Sequence, residues 1–253
     1  MVWRMIRITG FMRGSMVALV VSGAIAQDAR GILEESLKRA RSNSERYEGT
    51  LQVIGSEDHI ATKRWTYEQT GSDGSAKAML RFTAPAEVRG VALLILSHPD
   101  RAAEMWMWRP AIGREQRIAF QDRSTRFFGT DFSFEDLEER DSSQLDLSLL
   151  GEENGAWKID SRPRKASQYT HSVLWISKSN YTLTRVEAYD RNGLVRTIEY
   201  RDFQQTAGIW APHTVEVTDV ARKSHTLLKL EKLEFNVPLK EDDFTLQALR
   251  RPS

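Results

Sequence analysis

The chain of 253 residues contains no cysteine. Without cysteine it can form no disulfide, so a hydrophobic core has to stabilise the fold. The five histidines are scattered and show no metal-binding spacing. No serine has the flanking glycines of a hydrolase nucleophile. The sequence therefore predicts no catalytic residue, no metal site and no cofactor.

The chain also lacks an apolar run long enough to cross a membrane. Residues 16–25 form an apolar stretch, which is too short for a hydrocarbon core of about 30 Å. Three arginines precede this stretch: Arg4, Arg7 and Arg13. A small-x-small cleavage site follows at residues 24–26, so we predict a secretory signal peptide over residues 1–26. An uncleaved membrane anchor is the alternative interpretation.

Residues 27–253 are predicted to form one domain in the periplasm of a bacterium with two membranes. No cysteine is present at the cleavage site to carry a lipid anchor, and no linker rich in Pro, Gly and Ser divides the chain. Basic and acidic side chains nearly balance, with a formal net charge of +1 for the full chain. This balance implies no general attraction to nucleic acid or to anionic lipid.

Apolar and polar residues alternate with the period of a β-strand over most of residues 47–235. The pattern predicts about eleven strands in meander order, joined by short turns. Asn192-Gly193 is the strongest hairpin signal among these turns. So many strands without intervening helices predict an antiparallel barrel or a strongly curved sheet. A sandwich is the structural alternative.

Residues 28–40 predict an N-terminal helix. Asp28 can cap this helix. Its apolar side chains fall on one stripe, formed by Ile32, Leu33, Leu37 and Ala40. Residues 123–146 are less regular and predict a loop mixed with short helices. The predicted fold class is therefore mainly β, with few helices.

Two tryptophans, Trp106 and Trp108, share one face of a predicted strand. Aromatic side chains pack the core of any β protein, but a barrel of about eleven strands can also keep an apolar cavity. The pattern alone leaves both interpretations open. For such a cavity, the predicted lining residues are Trp65, Leu94, Leu96, Trp106, Trp108, Phe120 and Trp175.

A group of carboxylates at residues 131–136 follows a run of arginines. Paired carboxylates can perform general acid–base catalysis, which would make the protein a hydrolase. The neighbouring arginines favour ion pairs that fix a loop against a strand, and they could also meet a phosphate or an acidic partner surface. The residues predicted for this lid loop or partner contact are Arg109, Arg117, Arg126, Phe128, Asp131 and Asp136.

Several segments of the chain together resemble one family. They are FTAPAEVRG with Leu93-Leu94 at residues 82–94, WMWRP at 106–110, RxxRI at 114–118, FGTDFSFED at 128–136, GIWAP at 208–212 and a closing FN…F at 235–244. Trp108 stands where tyrosine is commoner, and Thr130 replaces the usual serine. On these motifs the chain resembles the LolA-like outer-membrane lipoprotein-sorting proteins over nearly all of residues 27–253.

The resemblance implies a half-open antiparallel β-barrel with helices that close one mouth, and an apolar cavity that accepts acyl chains. Members of this branch look like partners of RND-type inner-membrane lipid exporters. We therefore expect a non-enzymatic carrier of lipid or lipoprotein acyl chains towards an outer-membrane acceptor, with residues 28–40 and 123–150 as candidate lids. The alternative is an accessory or assembly protein that binds such an exporter or an outer-membrane partner through its surface, without lipid cargo.

Overall fold

The computed structural model describes residues 6–7, 28–55, 60–71, 75–98, 101–138 and 140–251. The predicted signal peptide and its cleavage site lie outside these residues, apart from Ile6–Arg7 (β1), which pairs in parallel with Arg140–Asp141 (β8). In the described part of the chain, no helix is both long enough and apolar enough to cross a membrane.

Thirteen antiparallel strands form one large sheet that does not close on itself. The strands are β2 (Ser44–Ile54), β3 (Ile60–Thr70), β4 (Lys77–Ala84), β5 (Ala92–Leu96), β6 (Glu104–Arg109), β7 (Arg114–Arg117), β9 (Leu145–Glu153), β10 (Ala156–Pro163), β11 (His171–Ser177), β12 (Leu183–Asp190), β13 (Gly193–Thr206), β14 (Ile209–Asp219) and β15 (Ser224–Phe235). This architecture confirms the predicted fold class, a mainly β chain that forms a half-open antiparallel barrel.

The strand order explains why one long connection crosses the molecule. The chain builds the sheet outwards from β2 to the edge strand β7, and then resumes at the opposite edge with β9. From β9 it returns in meander order to β15, which pairs with β2. Residues 118–144, here called the crossing segment, therefore span the gap between the two edges of the sheet.

The crossing segment contains short helical turns, as predicted, but it ends earlier than expected. Three 3-10 helices lie in it, at Phe120–Asp122, Glu135–Leu137 and Ser142–Gln144. The irregular region was predicted to continue to residue 146, and no strand was predicted over 145–153, where the structure has β9. Leucines do alternate in this strand, but Leu149 and Leu150 are exposed at the sheet edge, so the apolar pattern is broken there.

The two faces of the sheet are covered by different parts of the chain. Large side chains on the inner face pack with aromatic residues of the crossing segment in one core. On the outer face, a smaller cluster around Leu94 is covered by the C-terminal segment, which forms a 3-10 helix (Glu241–Phe244) and a short helix α2 (Leu246–Leu249). Arg81 holds that segment by donating hydrogen bonds to the carbonyls of Ala248 and Leu249 at 2.9 and 3.2 Å.

The N-terminal helix α1 (Ala29–Arg39) packs against β9 and β11. The side chain of Asp28 accepts a hydrogen bond from the backbone N–H of Gly31, which caps the helix as predicted. Ile32 and Leu33 are buried in the inner core. Arg30 donates hydrogen bonds to the carbonyls of Ser142 and Leu145 at 3.2 and 2.9 Å, so α1 is tied to the crossing segment and to the start of β9.

Gly49 makes room for the largest buried ring of the inner core. Gly49 of β2 lies opposite Trp65 of β3, and a methyl group at Gly49 would overlap the indole. We expect Gly49→Ala to lower the free energy of unfolding by about 1–3 kcal/mol, the usual cost of overpacking. Urea unfolding measures this change. In a Trp65→Phe background the same substitution should cost less, and an equal cost in both backgrounds would contradict the proposed overlap.

Candidate functional site

The carboxylate of Asp131 ties the crossing segment to β15. Asp131 is fully buried and forms an ion pair with Arg126. It also accepts hydrogen bonds from the hydroxyls of Ser224 and Thr226, at 2.6 and 2.7 Å. Arg126 makes a second bond, to the carbonyl of Thr130 at 2.8 Å. The predicted ion pair between an arginine and this acidic loop is therefore confirmed at Asp131.

Asp136 forms a second anchor, with a partner that the sequence analysis missed. Its carboxylate forms an ion pair with Arg196 of β13, and both side chains are buried. The same carboxylate accepts hydrogen bonds from the backbone N–H of Ser133 and from the hydroxyl of Tyr169, each at 2.7 Å. Arg196 is on the same face of β13 as the buried residue Ile198, two positions later. A single arginine on the apolar face of a strand indicates a buried ion pair.

The charges around Asp136 change the acidity of its neighbours. Burial and the charge of Asp136 raise the pKa of Tyr169 well above its ordinary value, so the phenol stays protonated as a donor. Burial tends to lower the pKa of Arg196, but the surrounding acidic groups, of which Asp136 contributes most, together outweigh burial and raise the pKa. The cluster therefore keeps one negative and one positive charge that compensate each other inside the protein.

Between these anchors, aromatic side chains of the crossing segment fill the half of the interior next to β2–β6. The ring centroid of Phe127 lies 5.6 Å from that of Phe82 and 6.2 Å from that of Trp65. Phe132 is fully buried in the same core. Phe128, whose φ is +48°, packs its ring edge-on against Phe82 and Phe127. This half of the barrel is closed by its own side chains.

The structure does not bring the seven predicted lining residues together. Trp65 lies in the filled inner core, and Phe120 is 55% exposed. Trp175 of β11 is partly exposed, and the charged groups of Lys158 and Arg185 lie against its ring. The remaining four belong to the outer-face cluster under the C-terminal segment: Leu94, Leu96, Trp106 and Trp108.

These residues are divided because alternate side chains of β6 point to opposite faces of the sheet. Trp106 is the direct partner of Leu94 in the adjacent strand, so both point to the same face of the sheet. Met105 and Met107 occupy the opposite face and pack in the inner core. The methionines therefore face the interior, while the tryptophans support the C-terminal segment.

The predicted loop and partner residues also divide into two groups. Arg126, Phe128, Asp131 and Asp136 meet in or beside the anchored crossing segment, as described above. Arg109 instead donates a hydrogen bond to Gln116 at 2.6 Å. Arg117 is exposed and lies 3.9 Å from Glu104. These two arginines are on the edge of the sheet around β7 and form no contact with Asp131 or Asp136 among the described interactions.

An open cavity of about 390 Å³ lies between α1 and the strand ends of β12–β14. We call it the mouth cavity. Its apolar walls are formed by Leu33, Leu37, Ala40, Tyr181, Leu183 and Trp210, and serine, asparagine and threonine side chains form part of the rim. Trp210 is 40% exposed, and the guanidinium of Arg39 lies 4.2 Å from the centre of the Tyr181 ring. The volume is in the range of small-molecule binding sites.

Two further cavities lie beside the crossing segment. A small cavity of about 40 Å³, here called the interior cavity, has Leu174, Leu183, Val186, Ala188 and Ile198 in its wall, together with Glu135, Asp136 and Tyr169. A seam cavity of about 300 Å³ lies between the connection of β5 to β6 and the connection of β10 to β11, with Phe120, Arg123 and Lys165 in its wall. Aliphatic and small side chains form most of the lining of the interior cavity.

The stripe of α1 was identified from the sequence, but its partners across the mouth cavity were not. Tyr181 and Leu183 follow the turn Ser179-Asn180, and Trp210 is in the motif GIWAP. An aromatic or apolar residue directly after a hairpin turn is the signal that was available. In the described part of the chain, no group of three or more His, Asp or Glu side chains could hold a metal ion.

Removing the charge of Asp136 should destabilise the fold, because Arg196 would then be buried without a counter-charge. We expect Asp136→Asn to lower the free energy of unfolding by about 3–5 kcal/mol. A matched control is Asp146→Asn, which breaks the exposed ion pair of Asp146 with Arg164 and should cost less than about 1 kcal/mol. Urea unfolding compares the two, and similar losses would show that the buried pair is not an anchor.

Comparison with known proteins supports one family. A family model described as an uncharacterized protein matches residues 74–251 of the chain. A solved domain named for outer membrane lipoprotein sorting, from Vibrio parahaemolyticus, is 27% identical, with a TM-score of 0.83 over 88% of this chain and 98% of that one. A search of curated proteins finds no match.

Two more distant structures share the fold. A DUF1329 family protein from Desulfovibrio piger is 23% identical, with a TM-score of 0.82 over 88% of this chain and 100% of that one. A LolA superfamily protein from Nitrosomonas europaea is 19% identical, with a TM-score of 0.71 over the same shares. The family model covers well over half of the chain, so the chain belongs to that family, and its half-open barrel is similar to the folds of the lipoprotein-sorting domain and of the LolA superfamily protein.

Proposed function

We propose that this protein is a periplasmic carrier that binds the acyl chains of lipoproteins or lipids and delivers them towards the outer membrane, without catalytic turnover. The observation that carries the proposal is the mouth cavity, an apolar hollow of about 390 Å³ between α1 and the sheet. The similar domain from Vibrio parahaemolyticus, which is named for outer membrane lipoprotein sorting, supports the same activity.

The energetics of an acyl chain favour such a carrier. Each buried methylene contributes about 0.8 kcal/mol, so one long chain gains on the order of 10 kcal/mol on leaving water. A carrier must therefore cover the chain in an aqueous compartment and release it to another apolar site. The mouth cavity offers apolar walls for the chain and a polar rim for a head group.

Of the two candidate lids, α1 lies in the wall of the mouth cavity and the crossing segment does not, which supports α1 for the role. α1 forms one wall of the mouth cavity through Leu33 and Leu37, so an outward shift of α1 would widen it. The crossing segment is held by the buried carboxylates of Asp131 and Asp136. We therefore assign the fixed end of the barrel to the crossing segment and the movable wall to α1, whose movement would have to break the hydrogen bonds of Arg30 to Ser142 and Leu145.

The alternative function is an accessory protein that binds an RND-type exporter or an outer-membrane partner. Fewer of the residues predicted for that contact are exposed than the sequence analysis assumed. Asp131 and Asp136 are buried, so the contact would have to use the edge of the sheet around Arg109 and Arg117. Photocrosslinking from position 117 tests it. Capture of a membrane protein by a chain that binds no lipid would favour this function over the carrier.

A charge in the mouth cavity should abolish lipid uptake. Leu37→Glu places a carboxylate in the apolar wall, where burial beside hydrocarbon is unfavourable. We expect native mass spectrometry to detect bound fatty acid or phospholipid on the unmodified protein and at least a tenfold weaker affinity for the variant.

The matched control is Leu149→Glu, because Leu149 is 44% exposed on β9 and is not in the wall of the mouth cavity. This variant should bind lipid as the unmodified protein does. Equal losses in the two variants, or no uptake by the unmodified protein, would contradict the carrier function.

A further inference from the structure

Leu183 stands between two cavities of the same interior. Its side chain lines the mouth cavity of about 390 Å³ and also the interior cavity of about 40 Å³. It is the first residue of β12, it is partly buried, and it packs against the inner core. The side chain is therefore the wall that both cavities have in common.

The residues on both sides of Leu183 form hydrogen bonds. In the preceding turn, the N–H of Ser177 donates to the carbonyl of Thr182 at 2.8 Å, and the N–H of Tyr181 donates to the carbonyl of Ser177 at 2.9 Å. On the other side, the hydroxyl of Thr184 donates to the carbonyl of Trp175 at 3.2 Å. A change of side-chain rotamer is the smallest motion that moves the Leu183 side chain aside.

The interior cavity behind Leu183 suits the end of a hydrocarbon chain but not a long stretch of it. Val186, Ala188 and Ile198 form apolar walls, and the volume of about 40 Å³ holds about three water-sized spheres. Its far wall contains Asp136 and Tyr169, which belong to the buried anchor. Hydrocarbon cannot replace the hydrogen bonds of that cluster, so the cavity ends there.

On the basis of the carrier function proposed above, we propose that Leu183 determines which acyl-chain lengths the protein accepts. A chain in the mouth cavity extends inwards until it meets the Leu183 side chain. A longer chain has to turn that side chain aside and place its last methylenes in the interior cavity. The combined length of the two cavities then sets the upper limit, with the Asp136 anchor as its end.

The test compares the affinities of laurate and palmitate, measured by displacement of a fluorescent fatty acid. In Leu183→Ala the two cavities merge, so the preference for palmitate over laurate should rise about tenfold. This change corresponds to about 1.4 kcal/mol, or the burial of about two more methylenes. In Leu183→Phe the side chain that separates the two cavities is larger. The affinity for palmitate should therefore fall, while the affinity for laurate stays within about twofold of that of the unmodified protein. This second variant keeps the test valid if Leu183→Ala folds poorly.

A double variant tests whether the last methylenes of palmitate enter the interior cavity. Ala188 is buried in the wall of the interior cavity, so Ala188→Leu fills that space. Leu183→Ala with Ala188→Leu should lose the added preference for palmitate. A preference that persists in the double variant, or that is unchanged in both Leu183 variants while the unmodified protein binds fatty acid, overturns the inference and leaves the carrier function intact. Absence of binding by the unmodified protein overturns both.

Discussion

The buried ion pair between Asp136 and Arg196 holds the crossing segment inside an open sheet. An open antiparallel sheet leaves its two edges apart, and the chain has to pass from β7 to β9 across that gap. The loop that crosses carries backbone and carboxylate groups that need partners wherever water is excluded. Arg196, Tyr169 and the hydroxyls of β15 supply these partners. Once they do, the aromatic side chains of the segment can fill the adjacent interior.

This arrangement makes the interior of the barrel asymmetric. Next to β2–β6, rings of the sheet and of the crossing segment pack against each other. Next to β12–β14, leucines of α1 lie across the mouth cavity from Tyr181, Leu183 and Trp210, and the interior cavity lies behind Leu183. The phenylalanine cluster of the crossing segment therefore belongs to the filled half. The lining of the two cavities in the other half is mostly aliphatic, with a few aromatic and polar side chains.

Several elements could be predicted from residue patterns because their causes are local. The cap at Asp28 and the apolar stripe of α1 depend on residues within a few positions of each other. The alternation of apolar and polar residues in the strands also depends on neighbours in sequence. The site could not be predicted in this way. Trp106 and Leu94 were assigned to the cavity, but they face the C-terminal segment. Arg196, the partner of Asp136, is 60 residues away in sequence.

By itself, the sequence determined the mainly β architecture, the N-terminal helix, the reliance on a core without disulfides and the family of the chain. Only the tertiary structure decided which face of each strand points inwards. Alternation with a period of two defines two faces but does not say which segment will cover each one. Here the C-terminal segment covers the face with Trp106 and Trp108, and the crossing segment fills the opposite face. The position of the hollow follows from those two long-range packing events.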